Sequence, residues 1–338
     1  MSGPIGLALG GGSGLPPRRL TLLATIAEQR GFDLLALNEG HADVFALASA
    51  IAASTREIGI QTAIANIGWR HPAMMALSAA AVDELSDGRF ALGIGVGTQW
   101  FDTADGYGGA LSRVREYVDA MRALWAAGQS PVSHAGAHYR VERFRMDFPP
   151  LRADVPVYLA ALNPGMLRLA GAIADGVVLN LVPLDAVAEC VSLVREGAAS
   201  AGRRPGGVKI SLLIRAGLED DASRGREIIR SSLPRYFRFA GYAKRFTTLG
   251  YGAVVQAVQA ALDNDDARGA ARAIPDELVD RLAVFGPGDR CRAGVEAFRA
   301  VGVDVPIVSP RTASDDWEAT IGRAIDTFGP SLSHTSGW

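Results

Sequence analysis

Short apolar stretches alternate with amphipathic stretches along nearly the whole chain, and this alternation limits the possible folds. Each apolar stretch is followed by a segment whose apolar residues recur every three or four positions, as in a helix packed on a sheet. Strands that alternate with helices run parallel and are joined by right-handed crossovers. Eight such units predict an α/β fold, a closed (β/α)8 TIM barrel, with an open doubly wound sheet as the alternative. The predicted strands are residues 5–9, 32–37, 58–64, 90–96, 155–162, 177–181, 208–214 and 303–308.

Residues 70–97 show this alternation most clearly. Pro72 suits a first helical turn, where its missing N–H costs nothing. The apolar run that follows the helix carries no charge, as expected for a parallel strand buried on both faces. It ends in Gly93, Gly95 and Gly97. Glycines at a strand end indicate that either a ligand or a neighbouring strand approaches the backbone closely, and the sequence leaves both explanations open.

Three segments fall outside the repeat. Residues 98–110 form a small insert after the fourth strand, and the alternation within 134–150 predicts a surface hairpin. Residues 222–285 are helical in pattern, with no clear strand, and predict the seventh helix plus a helical insertion after strand 7. With no linker visible, we expect one barrel domain over residues 1–330 and a C-terminal tail over 331–338.

Composition argues against several classes of function. The net charge of −2 gives no electrostatic basis for binding nucleic acid or an anionic membrane. Cys190 and Cys291 lie far apart on apolar helix faces and are expected to be inert core thiols, and no metal site is expected. No run reaches the roughly 18 apolar residues of a membrane span, and the N-terminus lacks the basic region of a signal peptide. We therefore expect a cytoplasmic protein that acts on a small molecule.

The barrel prediction also places the candidate site, because active sites of this fold lie at the C-terminal ends of the strands. These ends are rich in glycine and amides and carry one carboxylate, Glu39. This composition suits a large, planar, partly apolar ligand better than acid–base hydrolysis. Glu39 is expected either to orient or protonate a ring or to cap the strand end. The residues at these ends are Gly10, Asn38, Glu39, Gly40, Ile64, Asn66, Gly95, Gly97, Thr98, Ala161, Asn163, Asn180 and the run 309–311.

The segment RHPAMMALSAAAVDELSDGRFALGIGVG, at residues 70–97, resembles the luciferase-like oxidoreductases that use flavin or deazaflavin. The likeness extends over nearly the whole chain. Segments 62–72, 157–180 and 273–308 are closer to the branch that uses coenzyme F420, which includes methylenetetrahydromethanopterin reductases. The phrase ALNPGMLRLAG within the second of these segments resembles that branch more than the FMN-using luciferases.

The resemblance implies that the deazaflavin ring lies across the barrel mouth, backed by a bulge in the third strand that often contains a non-prolyl cis peptide. It also implies that a helix N-terminus at Asn163-Pro164 holds the coenzyme phosphate. The expected cofactor-binding residues are Gly10, Gly40, Ala63, Ile64, Asn66, Val96, Gly97, Thr98, Ala161, Leu162, Asn163, Pro164 and Asn180.

The implied activity is transfer of a hydride between F420 and a small organic substrate. Glu39, together with His41 or Asn66, is expected to handle the proton. Several relatives carry an acidic residue followed directly by histidine at this strand end, whereas here Gly40 separates Glu39 from His41. The identity of the proton donor therefore stays open.

Two other functions are compatible with the sequence. One is an FMN-dependent luciferase-like monooxygenase, and the other is a cofactor-binding protein without turnover. The resemblance also implies a homodimer. Aromatic residues in 98–110 (Trp100, Phe101 and Tyr107) and in 231–252 suggest an apolar or aromatic substrate, although those in the insert could equally cover the core.

Overall fold

The computed structural model describes residues 3–10, 12–40, 42–97 and 109–329. The strands are β1 (Gly6–Gly10), β2 (Leu34–Asn38), β3 (Gly59–Thr62), β4 (Ala65–Asn66), β5 (Phe90–Gly95), β6 (Val132–Ala135), β7 (Arg140–Phe144), β8 (Val157–Ala160), β9 (Gly176–Asn180), β10 (Lys209–Leu218), β11 (Ala283–Gly286) and β12 (Val305–Pro310).

The α-helices pack around the strands and above one end of them. They are α1 (Pro17–Gln29), α2 (Val44–Ser54), α3 (Pro72–Leu85), α4 (Ala110–Ala127), α5 (Pro164–Ile173), α6 (Val187–Ser200), α7 (Ala222–Ser232), α8 (Ala240–Phe246), α9 (Gly252–Asp263), α10 (Ala267–Arg272), α11 (Asp276–Leu282), α12 (Gly288–Ala300) and α13 (Trp317–Phe328). Short 3-10 helices lie at Leu184–Ala186, Pro205–Gly207 and Pro234–Arg238, and a π-helical turn at Thr247–Tyr251.

Eight parallel strands close into a ring in the order β1, β2, β3, β5, β8, β9, β10 and β12, with β12 paired back to β1. Strand β4 continues β3 and pairs with β5. This arrangement confirms the predicted (β/α)8 TIM barrel and excludes the open sheet. Successive units lie side by side because each strand–helix crossover returns the chain to the next position in the ring.

The strands divide their apolar side chains between two sets, because alternate residues of a strand point to opposite faces. The outward set, which includes Leu7 and Leu35, packs against the helices in one large core. The inward set is smaller and includes Ala8, Ala36 and Ala63, on or just after strands β1 to β3. The barrel interior is therefore filled, with small side chains at these positions.

The prediction that 222–285 contains no strand was wrong, since β11 occupies its last residues. Strand β10 runs past the end of β9: it pairs with β9 as far as Leu213 and with β11 from Arg215 onward. Strand β11 pairs with the edge of β10 that extends beyond β9. This pairing joins segments that are distant in the sequence. The predicted end of the seventh strand, at Ile214, was four residues early for the same reason.

The rest of the segment is helical, as predicted. Helices α7 to α11 share a second hydrophobic core in which the rings of Phe237 and Phe246 stack with centroids 4.9 Å apart. Leu181, just after β9, and Phe285, on β11, belong to this core. The helical insertion is thus packed over the C-terminal ends of strands β9 to β11.

Other predictions have mixed outcomes. The hairpin is confirmed as the antiparallel pair β6–β7, and both cysteines are buried. Most of the insert after the fourth strand, including Trp100, Phe101 and Tyr107, lies outside the described residues, as does the 331–338 tail. The domain boundary at 330 stays a prediction. Within the described part of the chain, no helix is long and apolar enough to cross a membrane.

Helices α5 and α6 pack with their backbones in close approach, and this generates a stability prediction. A Cβ added at Gly197 would overlap the backbone of Arg168, whereas one at Gly322, in α13, would meet nothing within 4 Å. Gly197→Ala should therefore lower the free energy of unfolding by about 1–3 kcal/mol through overpacking. The control Gly322→Ala should raise it by about 0.5–1 kcal/mol, because alanine loses less backbone entropy in a helix. Urea unfolding of both variants checks this, and equal effects would contradict it.

Candidate active site at the C-terminal mouth of the barrel

The third strand contains the predicted bulge, and its cis peptide bond joins Ala63 to Ile64. Between the pairs Gln61–Ala91 and Ala65–Ile94, the β3–β4 strand advances four residues while β5 advances three. One extra residue is therefore accommodated at this point, which is the definition of a β-bulge. The bulge turns the end of the strand away from regular pairing at the level of the barrel mouth.

The side chain of Thr62 bridges the break that the bulge makes in the sheet. Its hydroxyl donates to the carbonyl oxygen of Gly93 at 2.7 Å and accepts from the N–H of the same residue at 2.9 Å. A buried backbone donor and acceptor without partners would be costly, so this hydroxyl replaces the missing ladder bonds. It explains how a strand can leave its register inside a closed barrel.

The three glycines of the fourth barrel strand all face protein atoms around this bulge. A Cβ at Gly93 would overlap the carbonyl of Thr62, and one at Gly95 would lie 2.8 Å from the Cβ of Ala160. Gly97 has a φ of +62°, and a Cβ there would overlap the side-chain amide of Asn66. Close packing between strands, one of the two explanations that the sequence left open, therefore accounts for all three.

Glu39 anchors the end of the bulged strand. Its side chain is 2% exposed, and its Oε2 accepts a hydrogen bond from the backbone N–H of Asn66 at 2.7 Å. Its Oε1 lies 2.6 Å from the guanidinium of Arg70, which also pairs with Asp43 at 3.2 Å and lies over the ring of Phe45. Both carboxylate oxygens are thus engaged by the protein. The arrangement fits a group that holds Asn66 and the loop before α3 in place.

The predicted cofactor-binding residues come together at one edge of the ring. Gly10 ends β1, Gly40 lies two residues after β2, and Asn180 ends β9. The others are Ala63, Ile64 and Asn66 at the bulge, Val96 and Gly97 after β5, Ala161 and Leu162 after β8, and Asn163 and Pro164 at the start of α5. His41 and Thr98 lie outside the described residues.

Three of these residues have side chains that bind other protein groups. The Oδ1 of Asn66 accepts from the backbone N–H of Gly68 at 2.8 Å. Asn163 donates from Nδ2 to the carbonyl of Gly241 at 3.3 Å. Asn180 donates from Nδ2 to the hydroxyl of Tyr242 at 2.7 Å, and its Oδ1 accepts from Arg215 at 3.2 Å. The bonds to Gly241 and Tyr242 join the barrel to the helical insertion, and the bond from Arg215 joins Asn180 to β10. Asn180 therefore belongs to a group of residues that the sequence analysis did not identify.

That group consists of three arginines around one phenol, and we call Arg215, Arg235 and Arg311 the arginine cluster. Arg215, on β10, is 1% exposed, and its guanidinium carbon lies 4.7 Å from the ring centre of Tyr236. Arg235, in the 3-10 helix, donates to the hydroxyl of Tyr236 at 2.9 Å. Arg311 follows β12, where its N–H is bonded to the carbonyl of Ala216 at 2.8 Å.

The cluster has an unusual electrostatic balance. Among the residues that the structure describes, no carboxylate forms an ion pair with any of the three guanidinium groups. Burial alone would raise the pKa of the Tyr236 phenol, but the three positive charges outweigh burial and lower this pKa to about 7. Burial and the charge of Arg215 together lower the pKa of Arg311 to about 9. For Tyr242, burial dominates and raises the pKa to about 12.

One sequence signal could have identified the cluster. Arg215 interrupts an otherwise apolar run, ISLLIRAGL at residues 210–218. A charged residue in a buried strand is rare unless it has a partner or a function. The predicted strand ends at Ile214, so Arg215 lies just outside it. Tyr236 and Tyr242 fall within the aromatic region 231–252, and nothing local links them to a strand 20 or more residues away.

Comparisons with known proteins agree with the barrel fold. A family model described as luciferase-like monooxygenase matches residues 3–305. A protein of Mycobacterium tuberculosis, named as a candidate coenzyme F420-dependent oxidoreductase, is 30% identical over an alignment that covers 91% of this chain and 95% of that one.

Two solved structures share the fold. A coenzyme F420-dependent tetrahydromethanopterin reductase from Methanopyrus kandleri superposes with a TM-score of 0.77 at 19% identity, covering 97% of this chain and 98% of the other. The oxygenating constituent of 3,6-diketocamphane monooxygenase from Pseudomonas putida, solved with FMN, gives 0.71 at 18% identity and covers 98% of each chain. At these identities the structures show the fold alone, and they include both cofactor types.

The balance of charges around Tyr236 can be measured directly. We expect a single phenol to ionise near pH 7 in an ultraviolet absorbance titration, and Tyr236→Phe to remove that transition. The groups that face it are the arginine cluster, Tyr242 and the ring of Phe239. Because the folded-state pKa lies below that of an unfolded tyrosine, about 10, the stabilising contribution grows as pH rises from about 7 to 10. A first phenol ionising only near pH 10 would contradict this.

Proposed function

Because the chain belongs to the luciferase-like monooxygenase family, we propose that it is an oxidoreductase that uses coenzyme F420 to transfer a hydride to or from a small organic substrate. The relative from M. tuberculosis carries F420 in its name and is similar over nearly its whole length. Its similarity supports F420 over FMN, the cofactor of the alternative, a luciferase-like monooxygenase.

The observation that carries the proposal is the character of the barrel mouth on the side of the bulge. Small, uncharged residues line the barrel interior beside the bulge: Ala8, Ala36, Ala63, Gly95 and Ala160. The carboxylate beside them, Glu39, is neutralised by Arg70. A shallow surface of this kind fits a flat, partly apolar ring held by shape and backbone contacts.

F420, when bound, supplies the ring carbon that gives or takes the hydride. The protein contributes position: Glu39 holds Asn66, and Thr62 fixes the bulge against β5, so Ala63 and Ile64 present a constant surface. We propose that Gly97 and the start of α5 at Asn163-Pro164 contact the rest of the coenzyme, and that Gly10 and Gly40 border the same space.

Hydride transfer also requires a group that gives a proton to the substrate or takes one from it. Because both oxygens of Glu39 are engaged by Asn66 and Arg70, we propose that Glu39 acts mainly by positioning Asn66. Asn66 and His41 remain our candidates for contact with the substrate oxygen. The second alternative is a cofactor-binding protein without turnover. Any F420-dependent oxidation or reduction of a substrate would exclude it.

Fluorescence titration of the purified protein with F420 and, separately, with FMN tests the proposal. We expect micromolar or tighter binding of F420 and weaker binding of FMN. Ala160→Leu should fill the small-residue surface beside Gly95 and weaken F420 binding by at least about tenfold, a loss of about 1.4 kcal/mol. Ala46→Leu, on the exposed side of α2, is the control and should bind normally.

The other outcomes of the titration are equally informative. Binding of FMN alone would move the protein to the flavin monooxygenase branch. If neither cofactor binds while circular dichroism shows a folded barrel, the proposed oxidoreductase function is wrong.

A further inference from the structure

We propose that the arginine cluster is the binding site for an anionic group, a carboxylate or a phosphate, on the substrate. This inference rests on the proposed function, since it names the chemical class of substrate for the same barrel mouth. It also changes the expectation from the sequence, where aromatic residues alone suggested an apolar or aromatic substrate.

The first support is the lack of neutralising charge. The other buried arginines of the described structure are paired: Arg230 lies 2.8 Å from Glu227, and Arg245 lies 2.7 Å from Glu189. Arg215 is equally buried but has Asn180 and the face of Tyr236 as its neighbours, and its Nε has no hydrogen-bond partner. A buried guanidinium without a carboxylate is costly, so its presence beside two further arginines points to an anion that arrives from outside.

The second support is the position of Tyr236. Its ring centre lies close to two guanidinium carbons, 4.7 Å from that of Arg215 and 4.9 Å from that of Arg235. Ionisation of this phenol near neutral pH partly balances the cluster when no anion is bound. A bound anion takes over that role, which makes the protonation state of Tyr236 an internal reporter of anion binding.

The third support is the place of the cluster in the ring of strands. From β3, which carries the bulge, β10 is four strands away in either direction around the barrel. Arg215 thus lies across the mouth from the surface proposed for the deazaflavin. A substrate anchored at Arg215 by its anionic group would extend back toward Ala63 and Ile64, where hydride transfer is proposed.

The arginine cluster is accessible from solvent at its outer end. Arg235 is exposed and Arg311 is half-buried, while Arg215 closes the inner end of the group. The coenzyme also carries a phosphate, but we place that group at Asn163-Pro164, beside β8. The cluster is formed by the ends of β10 and β12 and by the helical insertion, so we assign it to the substrate.

The test uses inorganic phosphate as the probe on the full-length protein, at a pH just above the pKa of Tyr236. We expect calorimetry to show saturable phosphate binding and the phenolate absorbance to fall with the same affinity. Arg311→Gln should weaken phosphate binding at least about tenfold, because it removes a charge-assisted hydrogen bond. Arg311 is chosen over the fully buried Arg215 to preserve folding.

The matched control is Arg238→Gln. This arginine lies in the same 3-10 helix as Arg235 but donates to the carbonyl of Leu262 and lies 3.7 Å from Asp263. We expect its removal to leave phosphate affinity and the Tyr236 titration unchanged. Loss of phosphate binding in both variants to the same extent would show a diffuse charge effect and overturn the site.

Repeating the titration with saturating F420 distinguishes the sources of the anion. Unchanged phosphate affinity supports a substrate site, and competition between phosphate and F420 would overturn that assignment in favour of the coenzyme tail. An absence of phosphate binding in a protein that binds F420 would overturn the anion site while the proposed function stands. Failure to bind F420, with phosphate still bound, would contradict the proposed function and leave the anion site supported.

Discussion

The hydroxyl of Thr62 takes the place of backbone hydrogen bonds at the bulge, where the third barrel strand is out of register with β5. It serves both the N–H and the carbonyl of Gly93, and the strands can approach that closely because Gly93 has no side chain. The bulge at Ala63 and Ile64 depends on the Thr62 hydroxyl, which satisfies the backbone groups that would otherwise pair between the strands. Since the bulge forms one wall of the barrel mouth, the shape of the candidate site follows from this local solution to a backbone problem.

The two sides of the mouth handle charge in opposite ways. Near the bulge, the carboxylate of Glu39 and the guanidinium of Arg70 neutralise each other, and the remaining surface is small and apolar. Across the barrel, the arginine cluster has no carboxylate partner within the described residues, and a phenol is drawn toward ionisation instead. The mouth is therefore polarised, with an uncharged surface suited to a ring and a cationic surface suited to an anion. Under the proposed function, such a division would orient a substrate before any chemistry takes place.

The fold was predictable from the sequence because strand–helix alternation is a local pattern. The Ala63–Ile64 bulge was reached through family resemblance, and nothing in the periodicity of 58–64 indicates it. Strand β11 was not predicted because it pairs with the part of β10 that extends beyond β9. Pairing between such distant segments leaves no local pattern in the sequence. Arg215 was missed for a related reason: its partners Asn180 and Tyr236 come from different units. Residues that act together across the chain leave no spacing signal.

The helical insertion carries two of the residues around the arginine cluster on a core of its own. Its own core, which includes Phe237 and Phe246, supports Tyr236 and Tyr242, and Asn180 of the barrel also binds the hydroxyl of Tyr242. Changes in the insertion can therefore alter which anion is bound, or whether one is bound, while the bulge and its supports stay the same. Arg215 is the exception, because it belongs to a barrel strand and meets the insertion through Tyr236. We infer that Arg215 provides the constant part of substrate recognition and the insertion the adjustable part, an arrangement in which one barrel serves different substrates through changes outside its strands.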